Sequence, residues 1–266
     1  MYDHHLKAGN PGDVIKHIAL IAAAGTIMAR CRGSFCYADI FAGYAWNPLS
    51  PGGEWQNGIG AVYDYAKDSC NSDLQFWRGI CGNGGSLEGS LYPGSSIFVR
   101  ELCRQHGFSF KPRLWDISAE VISDLTSAYS GQDVEIFPRA ANLDDFPNRT
   151  TDLLLIDPPG YEKNAPYLGS LLRFYDIVDN VILWLPITTE NGTETEASEG
   201  ANREYSEVGL ASVSVIWGGE RSTKGCRLAY RLPDDAGRAV EKAVCEIVRT
   251  GHWAMNFHQG ETIHCP

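Results

Sequence analysis

Leu153–Leu154–Leu155–Ile156–Asp157–Pro158–Pro159–Gly160–Tyr161 is the stretch that decides how this chain folds. Four consecutive aliphatic residues read as a strand covered on both faces, the pattern of a parallel sheet with helices above and below. Asp-Pro-Pro cannot continue that strand, because proline has no N–H to give to a ladder. The strand therefore delivers a carboxylate at its carboxyl end, where open α/β sheets bind ligands. A structural strand closing in a tight Pro-Pro-Gly turn fits the same letters, and the motif alone weighs the two readings evenly.

Composition sets the frame around it. A chain of 266 residues with 44% hydrophobic content can bury a large core, as one sizeable α/β domain or a domain plus an insertion. Cys31, Cys36, Cys70, Cys81, Cys103, Cys226, Cys245 and Cys265 show no zinc-like spacing and read as reduced thiols, with no metal expected. The longest apolar run, Ile18 to Met28, is too short to cross a bilayer, so a cytoplasmic protein without a membrane partner is expected. A net charge of −11 sits awkwardly with nucleic-acid binding, which needs clustered cations. Lys7, Lys16, Arg100, Arg104, Lys111 and Arg113 would supply a basic face if the fold gathered them.

Along the chain, Gly9–Asn10–Pro11–Gly12 marks a turn, with Asp13 as the expected N-cap of a buried helix reaching Ala29–Arg30. Phe35 to Ile40 reads as a strand leading into Phe41–Ala42–Gly43–Tyr44–Ala45, whose small residues suit close approach of a ligand to the backbone. The glycine- and aromatic-rich texture of 47–89 marks an inserted subdomain, either an elaborated crossover or a target-recognition lid, with the main domain formed by 1–46 and 90–266. Ser95 or Ser96 is the expected cap of the next helix, and Asp116 ends the next strand, where nucleotide-binding sheets hold ribose hydroxyls. A strand over Val181–Ile187 follows, then a polar run, Thr188 to Asn202, expected as a loop. Strands near Val208–Trp217 and Gly225–Leu232, a helix over Ala236–Thr250 and a strand at Trp253–Phe257 close the chain.

Several separated segments together resemble one family, the bacterial large-subunit (23S) ribosomal RNA adenine-N6 methyltransferases. They are Tyr2–Asp3–His4, Ala8–Gly9–Asn10–Pro11–Gly12–Asp13–Val14–Ile15–Lys16–His17, Asp39–Ile40–Phe41–Ala42–Gly43, Tyr92–Pro93–Gly94–Ser95, Ile156–Asp157–Pro158–Pro159 with Tyr161–Glu162, and Trp184–Leu185–Pro186. The resemblance implies a Rossmann-like class I methyltransferase sheet in an α/β fold, mostly parallel with an antiparallel C-terminal strand. It implies S-adenosylmethionine as cofactor and ribosomal RNA as partner; a monomer is expected. Cofactor contacts would come from His17, Asp39, Phe41, Ala42, Gly43, Ser95, Asp116 and Asp157. Tyr2, His4 and Lys16 would sit at the adenine-binding mouth, with Asp157 and the Pro158 carbonyl gripping the amine and Tyr161 stacking on the base. The chemistry suits an exocyclic amine, whose lone pair is delocalised into the ring: two acceptors holding its two N–H groups favour a more reactive nitrogen.

Three positions depart from the family's pattern. Ala45 stands where a second glycine is usual, Gly160 separates Pro159 from Tyr161, and Arg139–Ala140–Ala141 replaces an Ala-Asp-Gly. A non-catalytic relative that binds cofactor or nucleic acid, and a methyltransferase for DNA, protein or a small molecule, are the alternatives.

Overall fold

Leu153, Leu155 and Tyr37 belong to one buried cluster and Leu154, Ile156 and Ala38 to another. That alternation is what a strand buried on both faces must show, since successive side chains point to opposite sides. The computed structural model describes residues 6–82, 87–146, 150–159, 168–190, 193–217, 223–251 and 253–258.

The main sheet contains β1 (Ser34–Asp39), β4 (Ser109–Trp115), β5 (Glu135–Phe137), β6 (Leu153–Ile156), β7 (Val181–Glu190), β9 (Ala211–Ile216), β10 (Thr223–Arg231) and β11 (Ala254–His258). Its order is β5-β4-β1-β6-β7-β10-β9-β11, and β8 (Thr193–Glu194) pairs with the end of β7. Strands β5, β4, β1, β6 and β7 are mutually parallel. Strand β10 runs antiparallel to β7 and β9, and β11 antiparallel to β9. A parallel half reversing at β1 and an antiparallel strand inserted beyond β7 make this the Rossmann-like class I methyltransferase fold. β2 (Trp46–Pro48) and β3 (Leu91–Pro93) form a separate antiparallel pair.

One face carries α1 (Pro11–Met28), which is buried almost all round because α8 (Asp234–Thr250), α4 (Ser95–His106) and α3 (Ser72–Cys81) cover it from outside the sheet. Its N-cap is Asn10, not Asp13: the Asn10 side chain accepts the Asp13 N–H at 2.9 Å, and Pro11 opens the helix where its missing N–H costs nothing. Asp13 is thereby freed to accept from the Gly9 N–H at 3.1 Å and to meet Lys16. Likewise α4 is capped by Gly94 without a side-chain bond, which places Ser95 and Ser96 inside its first turn.

The segment 47–89 contributes Leu49, Trp55, Ile59, Val62, Trp77 and other residues to the same cluster as α1. Ile59 N–H donates to the Gly9 carbonyl at 2.9 Å, and a Cβ at Gly58 would lie 2.0 Å from that oxygen. Only glycine lets the two backbones approach so closely.

The other face is covered by α6 (Leu168–Leu172) and α7 (Glu196–Glu207). α7 replaces the loop expected over 188–202, and β7 itself runs on to Glu190. The reason is a helical stripe concealed in a polar sequence: Ser198, Ala201 and Tyr205 are buried at spacings of three and four, and Thr195 caps the helix by accepting the Ser198 N–H at 3.3 Å. Beneath it, the two terminal guanidinium nitrogens of Arg227 hold the two oxygens of Glu194 at 2.5 and 2.8 Å.

Lys16, Arg100, Arg104, Lys111 and Arg113 each pair with a carboxylate, so these five do not form an unpaired basic face. Cys31, Cys36, Cys70, Cys81, Cys103 and Cys226 are free thiols. Cys245 is in a disulfide, against the expectation of reduced thiols throughout. Among the described residues no helix is long and apolar enough to cross a membrane.

Candidate active site

Strand periodicity decides which way the two carboxylates point. Asp39 continues the alternation of Phe35 and Tyr37, and Asp157 that of Leu153 and Leu155, so both face α1. The register sets Asp39 beside Leu155, which leaves Asp157 two residues further along the adjoining strand.

From α1, Lys16 reaches Asp157 Oδ2 at 2.5 Å and Asp13 Oδ1 at 3.0 Å. Only 9% of the lysine side chain is exposed, against 22% of Asp157. Burial alone would lower the Lys16 pKa, but the Asp157 and Asp13 carboxylates outweigh it and hold the ammonium above its ordinary range. Among the described residues Asp157 is engaged only through Oδ2, which leaves Oδ1 to meet a ligand.

Asp39 is fully buried and accepts from the Tyr37 hydroxyl at 2.9 Å and from the Phe41 N–H at 3.2 Å. Burial, reinforced by the nearby Asp157 charge, pushes its pKa up to about 7 against the pull of those two hydrogen bonds and of Lys16. The Phe41 ring packs toward the opposite core cluster, and the Ala42 N–H donates to the Trp115 carbonyl at 2.9 Å.

Gly43 adopts φ +61, the left-handed region that glycine enters without penalty, and its N–H donates to Asp116 Oδ2 at 3.2 Å. Asp116 also receives the Ser118 N–H at 2.8 Å, so it fastens the turn after β1 to the end of β4. Ala45, the first departure from the family pattern, is fully buried and gives its N–H to Asp124 at 2.6 Å. Gly94 then comes so near this turn that a Cβ would sit 2.2 Å from the Tyr44 carbonyl.

His17 is buried beside Tyr92, with Nδ1 3.0 Å from the Tyr92 hydroxyl and its ring 4.9 Å from that of Phe98. Burial and then the Lys16 charge press its pKa well below the ordinary value, so the imidazole is neutral. Its Nε2 is enclosed without a hydrogen-bond partner.

Lys16, His17, Asp39, Phe41, Ala42, Gly43, Ser95, Asp116, Asp157 and Pro158 thus gather around the carboxyl ends of β1, β4 and β6 and the helix α1. Tyr2, His4 and Tyr161 lie outside the described residues. Asp13, Tyr37 and Tyr92 were not expected to join them as side chains. Tyr37 was legible from its spacing, since a residue two before Asp39 on a strand must share its face. Asp13 stands three before Lys16 on a helix, where an ion pair is natural. Tyr92 opened one of the segments that carry the resemblance, Tyr92–Pro93–Gly94–Ser95, but nothing in its spacing pointed to His17. Among the described residues no group of three or more His, Cys, Asp or Glu is placed to hold a metal ion.

No model of a known protein family matches the chain. The chain is 30% identical over 176 residues to the ribosomal RNA large subunit methyltransferase J of Haemophilus influenzae, a match covering 62% of this chain and 61% of that protein. The solved structure of protein LPL1258 from Legionella pneumophila superposes with a TM-score of 0.79 at 16% identity, covering 96% of this chain and 98% of that one. The second likeness is one of fold alone. The first is a resemblance in sequence to a ribosomal RNA methyltransferase, spanning less than two thirds of its length.

Proposed function

We propose that this chain is an S-adenosylmethionine-dependent methyltransferase acting on N6 of an adenine in ribosomal RNA. The observation that carries the reading is Asp157 at the open end of β6, fixed through one oxygen by Lys16 and presenting the other. The sequence likeness to a ribosomal RNA methyltransferase supports the acceptor class.

The residues present fit the cofactor: His17 Nε2 is a buried polar atom in want of a partner, and Gly43 and Gly94 leave no side chain over the turn after β1. His17, Asp39, Phe41, Ala42, Gly43, Ser95, Asp116 and Asp157 would hold it. When bound, S-adenosylmethionine supplies an electrophilic methyl group. The chain's own part is to orient and polarise the amine. Asp157 Oδ1 and the Pro158 carbonyl accept its two N–H groups, holding it in place and enriching the nitrogen lone pair. Lys16, held charged by two carboxylates, does not take up the departing proton, which the methylated, cationic nitrogen gives up to water; its task is to aim Asp157.

Calorimetry with S-adenosylmethionine, followed by transfer of labelled methyl to ribosomal RNA stripped of protein, tests the reading. Binding together with N6-methyladenine in the digested RNA is expected. Cofactor binding without transfer to any nucleic acid would leave a non-catalytic relative, and label that survives nuclease treatment would change the acceptor.

A further inference from the structure

The Tyr92 hydroxyl stands between two ring nitrogens. Trp77 Nε1 lies 3.4 Å away on one side and His17 Nδ1 3.0 Å away on the other, with all three side chains buried. An indole N–H only donates, so Tyr92 must accept from Trp77. The remaining choice is which partner of the Tyr92–His17 bond carries the hydrogen. If His17 donated, the Tyr92 O–H and the His17 Nε2 lone pair would both be buried without partners. If Tyr92 donates, the bonds run in one direction, from Trp77 through Tyr92 to His17, and a single group is left over, the His17 Nε2–H. One unsatisfied group is less costly than two, and the buried histidine is neutral in either case.

We propose that Tyr92, oriented by Trp77, is a positioning residue that locks His17 in its Nε2–H tautomer and so presents a buried donor to an acceptor atom of the bound ligand. The structure shows where that donor is wanted. His17 lies against Phe98 in the first turn of α4, and Tyr92 comes two residues before Gly94, the cap of that helix. The first turn of α4 has no side-chain cap, and while the Ile97 and Phe98 N–H groups turn back to the Gly94 carbonyl, those of Ser95 and Ser96 add to the preference for an acceptor, best a carboxylate. The relay also gives the 47–89 segment a part in ligand binding at a distance, since Trp77 belongs to it. The inference deepens the proposed function, resting on S-adenosylmethionine as the ligand whose carboxylate takes the hydrogen bond. The tautomer itself can be read without any ligand.

The test is a long-range proton–nitrogen spectrum of the His17 ring in the full chain, assigned by its loss in His17→Gln. Wild type should show the proton on Nε2. Tyr92→Phe, which keeps the ring packing and removes only the hydroxyl, should release protonation to Nδ1, and Trp77→Phe should do so in part. Added S-adenosylmethionine should shift the Nε2 signal, and Tyr92→Phe should bind it about tenfold more weakly by calorimetry, as the loss of one hydrogen bond to a charged group implies. A wild-type proton on Nδ1, an unchanged spectrum in Tyr92→Phe, or cofactor binding that leaves Nε2 unmoved would each overturn the relay. Wild type with the Nε2 proton but no heat of binding would instead count against S-adenosylmethionine as the ligand.

Discussion

Lys16 and Arg227 are both sequestered cations, their side chains 9% and 8% exposed, and each meets a carboxylate at 2.5 Å. Their surroundings differ in one respect that matters. Arg227 spends its two terminal nitrogens on the two oxygens of Glu194 and adds the Ser198 hydroxyl at 3.1 Å, so both carboxylate oxygens are taken up by one guanidinium, whose Nε is left without a partner among the described residues. Lys16 is shared between Asp13 and Asp157 and engages Asp157 through one oxygen only. A carboxylate taken up on both oxygens can hold a helix to a sheet. A half-used carboxylate at the end of a strand can still bind something, and that separates a clamp from a site.

The sharpest way to break the comparison is Asp157→Asn, which keeps the volume and removes the charge. Methyl transfer should fall by about 10³-fold or more while the far-ultraviolet spectrum is unchanged; activity within tenfold of wild type would deny Asp157 its role. Arg227→Met should act in the opposite sense, lowering stability by about 3 kcal/mol in a urea titration while the folded fraction retains its turnover. Pairing it with Glu194→Leu should recover most of the loss, because an unpaired, partly buried carboxylate is the main cost.

Asp39 sharpens the contrast through pH. Its native pKa of about 7 lies above the unfolded value of roughly 4, so the native chain binds the extra proton and is favoured below that range. Wild type should therefore lose about 3 kcal/mol relative to Asp39→Asn as pH rises from about 4 to about 7, and parallel stability curves would contradict it. The smallest effect is expected from Thr195→Ala, about 1 kcal/mol from the lost cap of α7, with no change in cofactor affinity.

The same contrast marks what the sequence made legible. Leu153 to Ile156, the buried α1 and the acidic residues ending β1, β4 and β6 could be read because unbroken apolar runs and strand-ending prolines are local signals. The clamp side could not. Its helix hides Ser198, Ala201 and Tyr205 among glutamates, and its stability comes from Arg227, a residue distant in sequence and adjacent only through the β10–β7 pairing. At the site the shortfall was of the same kind. Lys16 was named as a mouth residue, but its bond to Asp157 spans 141 positions, and no spacing rule anticipates such a contact. The caps of α1 and α4 were misplaced by a few residues, because a serine or aspartate near a helix start is equally at home inside the first turn.

The backbone contact at Gly58 bears on how freely this architecture can be rearranged. The turn that launches α1, and with it the rise toward Lys16 and His17, is fastened to a glycine some fifty positions downstream in the 47–89 segment. Trimming that segment away, or grafting one from another protein with a bulkier residue at this point, would loosen the hinge from which the ligand-facing helix hangs. Any shortened variant would have to supply a new anchor for the Gly9 carbonyl before it could be expected to retain its grip on a ligand.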